Sequence, residues 1–287
     1  MYNLRYHIAS LVAVFLALAV GLVLGTVVAE RGMLTDQSAA LVEDLQRQFD
    51  EITKTNSELR KGLERDQSFA EDIVPLVIAG ELAGQDVMVV AGTGRVDGLS
   101  PVQEGIDQAG GVASLATLRE PGLGLDETAP PGLAEYFADR GDTMEPPGPG
   151  LEQQVADALV REWARAADRP LTAVLVDGGL LRLDSLSDTA TVDAFVIMAA
   201  AEEGEGCDPF ALALAKAADS GGHVAAGAES LTSDAGVARA LADEGFSAID
   251  HAGTAQGRFS LVWILGRRAE GYFGARDGAD AFYPPPE

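Results

Sequence analysis

The chain has 287 residues, with 45 acidic against 20 basic side chains and a formal net charge of −25. A surface this acidic repels phosphate backbones, which argues against a nucleic-acid partner, while the length suits one or two domains with a full hydrophobic core. The single cysteine, Cys207, excludes a disulfide scaffold and a CxxC metal or redox motif, and three histidines with five methionines leave little material for a soft-metal cluster.

An uncharged apolar segment is the first element of the chain. Residues 8–29 read IASLVAVFLALAVGLVLGTVVA, in which Ser10 and Thr26 are the polar residues. At about 1.5 Å of rise per residue, this segment spans a hydrocarbon core of about 30 Å. The alternative is a cleaved signal peptide, whose apolar region would be shorter and would precede a small-x-small cleavage site. The sequence after Ala29 has no convincing site of this kind, so we predict an uncleaved membrane anchor.

The charges beside this segment indicate its orientation. Arg5 and the α-amino group lie on its short N-terminal side, and positive charge favours the cytoplasmic side of a membrane. We therefore expect a single-pass protein of the cell membrane, with residues 1–7 in the cytoplasm and the bulk of the chain outside it.

Small residues in the anchor favour helix pairing. Gly21 and Gly25 form a GxxxG motif that Ala17 extends, and this spacing lets two helix backbones approach closely in lipid. Glycine and alanine are also simply common in membrane helices, so the motif alone leaves pairing open.

Residues 30–72 predict a coiled-coil stalk. Between residues 34 and 66 apolar side chains recur at heptad spacing at half of ten seam positions, and an eleven-residue repeat matches comparably well. A stripe this narrow cannot stabilise a lone helix in water, but it can pair with a second copy. The alternative is a helix folded back on the globular domain. We expect a parallel homodimer, with the interface residues Gly21, Gly25, Leu34, Leu41, Leu45, Ile52 and Leu59.

Residues 73–287 predict an extracytoplasmic α/β domain, because apolar strands alternate with amphipathic helices. The pattern opens with a βαβ motif, in which strands 86–91 and 112–118 flank a helix at 101–109. Three layers with a mostly parallel sheet are the expected fold. Further strands are predicted at 171–176, 194–199, 223–226, 247–250 and 259–265, and further helices at 151–166, at 209–218 and between 233 and 245.

The segment 120–150 interrupts this pattern. It contains six prolines and six glycines, a composition typical of a long surface loop or of a linker between two lobes. The sequence leaves open whether the domain forms one sheet or two lobes.

Two short motifs suggest catalysis, but a simpler interpretation exists for each. Gly92, Gly94 and Gly98 follow a strand, yet their GxGxxxG spacing departs from the dinucleotide-binding GxGxxG pattern, which favours a tight strand-to-helix turn. Asp250 and His251 end a strand with no partnered nucleophile visible, which favours turn residues. We therefore expect a protein without enzymatic activity.

Soft metal ligands are scarce and scattered. Met88 and Met198 fall inside predicted strands, where methionine usually fills the core, and Cys207 is expected in an exposed loop before a helix. The sequence contains no MxxM, CxC or HxH motif. We therefore predict neither a metal site nor a resident cofactor.

Both ends of the chain carry specific motifs. RYH, at residues 5–7, leads into an anchor containing GLVLG at 21–25, and the chain closes with GYFG at 271–274 and GADAFYP at 278–284. With an anchor, a coiled coil and an α/β domain in this order, the chain resembles the actinobacterial MctB family, named for mycobacterial copper transport protein B, over essentially its full length.

The resemblance implies a role in copper homeostasis or efflux, with copper as the cargo. One transmembrane helix per chain cannot enclose a pore, so transport would need an oligomer or a separate channel. The same family includes the coiled-coil membrane protein SteB, which is linked to cell division and to peptidoglycan hydrolases. The alternative is therefore a cell-envelope scaffold that dimerises through its coiled coil and recruits or activates such hydrolases as partners.

Overall fold

The computed structural model describes the backbone of residues 4–93, 96–125, 129–166, 168–184, 186, 190–201 and 206–285, and the side chains of these residues except 4–5 and 29–40. The chain divides into two compact units, Met1–Asp66 and Gln67–Glu287, and we call the second unit the head. One helix, α1 (Leu4–Ile78), supplies the described part of the first unit and the first residues of the head.

The first unit contains a segment that could span a membrane. Within α1, Tyr6–Val28 comprises 23 residues with a mean hydropathy of 2.8, and its side chains are exposed. The Thr26 hydroxyl donates to the Val23 carbonyl at 2.9 Å, so this polar group is satisfied inside the helix. Length and composition therefore agree with the predicted anchor at 8–29.

The head is built on one sheet. Its described strands are β1 (Asp86–Ala91), β2 (Val112–Leu118), β3 (Leu181–Asp184), β4 (Val192–Ile197), β5 (Val224–Ala228), β6 (Ser247–Ile249) and β7 (Tyr272–Phe273). They form a seven-stranded sheet in the order β3-β2-β1-β4-β5-β6-β7. The described pairings are parallel except that of β3 with β2. The expected mostly parallel sheet is confirmed.

Helices cover both faces of this sheet. After α1, the described helices are α2 (Leu99–Gln108), α3 (Leu133–Ala138), α4 (Pro149–Trp163), α5 (Pro170–Asp177), α6 (Pro209–Ser220), α7 (Val237–Asp243) and α8 (Ala255–Leu265). Neighbouring strand residues point to opposite faces. Met88 and Val90 therefore join a core with α4 and α6, whereas Val87 and Val89 join a core with α2, α8 and the end of α1.

Two of the predicted strands are wrong, because both segments are helical. Leu171–Val176 lies in α5, which has Pro170 as its first residue. Phe259–Leu265 lies in α8, whose first turn is capped by the Thr254 hydroxyl accepting from the Gly257 N–H at 3.0 Å. Both runs are short and apolar, and periodicity alone does not distinguish a buried strand from a buried helix in such runs.

The described part of the segment 120–150, predicted as a loop or linker, is irregular over much of its length but also contains short helical elements. It holds a 3₁₀ turn at Pro121–Gly124, the helix α3 and the start of α4. Several glycines take a left-handed backbone, as Gly132 does with φ 88°, so they mark tight turns within the head. The segment contributes to the core through the buried side chains of Leu123, Leu125, Leu133 and Phe137.

We predict that Phe195→Ala lowers the free energy of unfolding of the head by about 3–5 kcal/mol, because it removes a fully buried ring and leaves a cavity. Phe195 stacks on Trp163 with the ring centroids 6.4 Å apart. Tryptophan fluorescence during denaturant unfolding measures this loss, since Trp163 and Trp263 both belong to the head. Leu231→Ala is the control because Leu231 is exposed, and an equal loss in both variants would contradict the prediction.

Candidate functional site

A crevice lies where the strand order reverses. The chain runs from β1 outward to β2 and β3, and it then continues at β4 on the other side of β1. In open α/β sheets the loops on the two sides of such a point diverge at the carboxyl ends of the strands, and ligands usually bind there. The crevice here has a volume of about 490 Å³, which is within the range of small-molecule sites. It is the candidate functional site of the head.

The crevice has an acidic lining. Four of its described lining residues are acidic, none of them is basic, and most of the others are apolar or small. The acidic residues are Asp97, Glu120, Asp208 and Glu229. Like charges repel, so the described lining disfavours phosphate-bearing ligands such as dinucleotides.

Two of these carboxylates are used inside the fold. Asp208, at the N-terminus of α6, accepts from the N–H groups of Ala211 at 3.0 Å and Gly122 at 2.9 Å. Glu229, after β5, accepts from the N–H groups of Gly236 at 2.9 Å and Ala238 at 3.2 Å, at the N-terminus of α7. Helix N-termini beside such crevices commonly bind the phosphate of a ligand. Here carboxylates of the chain itself occupy that position at both helices.

The two carboxylates have different surroundings. Burial raises the pKa of Asp208, although hydrogen bonds from backbone N–H groups, including those of Gly122 and Ala211, favour its ionised form. Glu229 also pairs with Arg276, whose Nη1 lies 3.0 Å from Oε1. The helix predicted at 209–218 begins directly after Asp208, but the sequence analysis missed Glu229, which carries no local signal of its role.

The glycine-rich loop after β1 ends in a tightly packed turn at Gly98. Gly98 is the N-cap of α2 and has φ 88°, a left-handed backbone that favours glycine. A Cβ atom at Gly98 would lie 3.3 Å from the Cβ atoms of Ala252 and Ser230. Gly92 lines the crevice, and Gly94 lies outside the described residues.

The soft side chains near the crevice are poor metal ligands. Met88 is buried in the core as predicted, and Met198 is buried at the crevice wall. Cys207 was expected to be exposed but is partly buried, and its thiol donates to the Asp208 carbonyl at 3.5 Å. Burial, reinforced by the Asp208 carboxylate, raises the pKa of this thiol to about 12, so it stays protonated at neutral pH. Across the described residues, no group of three or more His, Cys, Asp or Glu side chains could hold a metal ion.

The terminal motifs form a structure around Asp250. This residue follows β6 and is fully buried, and its carboxylate accepts from the Tyr272 hydroxyl and from the N–H groups of Ala275 and Arg276, each at 2.9 Å. A Cβ atom on Gly274 would overlap this carboxylate, which explains the second glycine of GYFG. Asp250 is therefore more than the turn residue that the sequence suggests, because it anchors the end of the chain to the sheet.

The GADAFYP motif closes the same structure, and we call residues 271–283 the C-terminal clasp. Asp280 accepts from the Tyr272 N–H at 2.9 Å, and the Phe282 ring packs on the His251 ring with centroids 4.8 Å apart. The Arg276–Glu229 ion pair joins the clasp to the wall of the crevice. The GYFG and GADAFYP motifs therefore have a structural role, because their contacts hold the end of the chain in place.

His251 is the unusual member of this cluster. It is fully buried, and Asp250 Oδ1 lies 3.6 Å from its Nδ1. Burial lowers the pKa of His251, while the Asp250 charge and the Phe273 backbone act in the opposite direction. The imidazole is therefore neutral at neutral pH.

The predicted interface residues lie on one helix. Gly21 and Gly25 have open space where a Cβ atom would stand. The other members with described side chains are exposed, and the side chain of Leu34 lies outside the described ones. Pairing of these residues with a second copy stays a prediction. The exposed members are Leu41, Leu45, Ile52 and Leu59.

Comparison with known proteins matches residues 1–284 to the family described as copper transport outer membrane protein, MctB. Proteins called copper transporter MctB, from Mycobacterium bovis and Mycobacterium tuberculosis, are each 31% identical to this chain over 119 residues. The aligned stretch covers 40% of this chain and 36% of each relative, so the match spans about a third of the relatives' length.

We predict that Cys207 reacts with iodoacetamide at least about a hundredfold more slowly than an unfolded cysteine at pH 8, because its raised pKa leaves little thiolate. Mass spectrometry of the full chain over time measures the rate. The same chain unfolded in urea is the control, and equal rates before and after unfolding would contradict the prediction.

We predict that the head loses stability as the pH falls below about 6.5. The unfolded chain protonates His251 near that pH, whereas the folded head, with its lowered pKa, protonates it only at lower pH. The unfolded state then binds more protons, so acid favours it. In His251→Gln, the fall in unfolding free energy between pH 7 and pH 5, followed by tryptophan fluorescence, is expected to be smaller than in the wild type. His223→Gln is the control, and an unchanged slope in His251→Gln would sink the prediction.

Proposed function

Because the chain belongs to the MctB family of copper transport proteins, we propose that it acts in copper homeostasis or copper efflux. The observation that carries this proposal is the match over residues 1–284, which includes the anchor and the stalk as well as the α/β head. The relatives from Mycobacterium, which are called copper transporters, support the same role.

The proposed location is the cell membrane, with the N-terminus in the cytoplasm and the head outside. The apolar stretch Tyr6–Val28 supports a single helical span, and Arg5 before it supports this orientation. The family description names the outer membrane, so the assignment to the cell membrane rather than to the outer membrane is part of the proposal.

In this proposal the head does not store copper. The protonated thiol of Cys207 and the lack of a ligand group among the described residues support that view. One span cannot enclose a pore, so copper would cross through several spans assembled together or through a partner. The head then has a non-enzymatic role in the assembly.

A parallel homodimer is the proposed form of this assembly. Gly21 and Gly25 offer a small-residue face in the anchor. In the stalk, the exposed side chains of Leu41, Leu45, Ile52 and Leu59 support a coiled coil, because a second copy would remove them from water.

The second candidate is a cell-envelope scaffold that recruits or activates peptidoglycan hydrolases. It is favoured by the same exposed stripe on the stalk together with the lack of a metal-ligand group in the described residues. A scaffold needs a membrane anchor and a paired stalk, but it needs no copper ligand.

We predict that deleting the gene raises cellular copper, measured by elemental analysis, and that the full-length gene restores the normal level. Ile52→Glu places a charge in the seam of the stalk and is expected to lose this rescue. Ser57→Glu is the matched control, because Ser57 lies about 140° away around the helix and is exposed.

Three outcomes separate the candidates. Raised copper that the wild type and Ser57→Glu correct supports the copper proposal. Normal copper with septation defects would contradict it and favour the scaffold. Normal copper and normal septation would contradict both.

A further inference from the structure

The end of α1 carries apolar side chains on two faces. Val74 and Ile78 pack into the core of the head, together with Leu82 just beyond the helix. On the same side of the helix, the carboxylate of Glu71 forms an ion pair with Arg258 of α8 and accepts a hydrogen bond from it. This face is therefore occupied by the head of the same chain.

The other face has no cover in the described head. We call Phe69, Ile73, Leu76 and Val77 the head-end patch, and these side chains are 67%, 36%, 74% and 47% exposed. At about 100° per residue, the centre of this patch lies roughly 150° around the helix from the face that packs on the head. Single exposed apolar residues are ordinary, but four together on two turns of one helix indicate a contact surface.

The heptad register of the stalk identifies the occupant. Phe69, Ile73 and Leu76 stand four heptads after Leu41, Leu45 and Gln48, so they fall at the same seam positions. Two copies anchored by the same apolar segment are parallel and at equal depth in the membrane. The same residues of both copies therefore meet, and a second copy is the partner that this register fits.

The charges around the patch permit such self-contact. A chain of net charge −25 repels its copy in general. Between residues 67 and 78, however, the charged residues are Glu71 and Asp72, and Glu71 is paired with Arg258 of its own head. Little unpaired charge therefore opposes a second copy at this point.

We propose that the head-end patch is a contact between the heads of two copies, which extends the dimer beyond the stalk. The inference rests on the homodimer proposed above and adds a surface of the head to it. Its consequence is that the two heads are held together as a pair at the ends of their α1 helices.

Cross-linking of the full-length protein in membranes tests the contact. In a Cys207→Ser background, Thr55→Cys reports on the stalk seam, Ile73→Cys reports on the head-end patch, and Ser68→Cys is an exposed control on another face of the helix. A short bis-maleimide is expected to cross-link Thr55→Cys and Ile73→Cys at least about fivefold more than Ser68→Cys.

A second variant separates the contact from folding. Phe69→Gln with Leu76→Gln changes exposed side chains and is expected to reduce cross-linking at Ile73→Cys about fivefold while leaving that at Thr55→Cys unchanged. The head contact would be overturned if Thr55→Cys cross-links but Ile73→Cys cross-links no more than the control Ser68→Cys. The stalk dimer would still stand in that case. Loss of cross-linking at both seam positions would overturn the dimer and the head contact together.

Discussion

A mostly parallel sheet must bury both of its faces, and the rest of the head follows from this constraint. Crossovers between parallel strands put helices on the faces, so Val87 and Val89 are covered on one side and Met88 and Val90 on the other. The last turns of α1 supply part of one cover. Residues 67–78, the last turns of α1, are thus part of the head, with one face in its core and the opposite face exposed.

The acidic composition has a structural use as well as a surface effect. Asp208 and Glu229 satisfy the N-termini of two helices beside the crevice, and Asp250 holds the C-terminal clasp. At the protein surface, the net charge repels phosphates. In the crevice, the chain's own carboxylates take the positions where a phosphate would bind. Both effects disfavour a phosphate group at the crevice of this head.

Local pattern predicts elements only where it is unambiguous. Strands 86–91 and 112–118 are found with the predicted bounds, because each is an apolar run between polar or glycine-containing segments. The runs 171–176 and 259–265 have the same local appearance but form helices, since their packing partners decide the outcome. The candidate site was harder to predict from the sequence. Glu229 pairs with Arg276 and His251 packs on Phe282, and both partners are distant along the chain.

The sequence by itself determined the apolar N-terminal segment, the acidic charge, the α/β class and the terminal motifs, since each depends on composition or on neighbours along the chain. Tertiary structure alone decided that described residues of 120–150 such as Leu123 and Phe137 enter the core. It also decided that the C-terminal clasp closes on Asp250 and His251, and that the end of α1 buries one face and exposes the other. These features depend on contacts between residues far apart in the chain, and burial and hydrogen bonding there outweigh local preference.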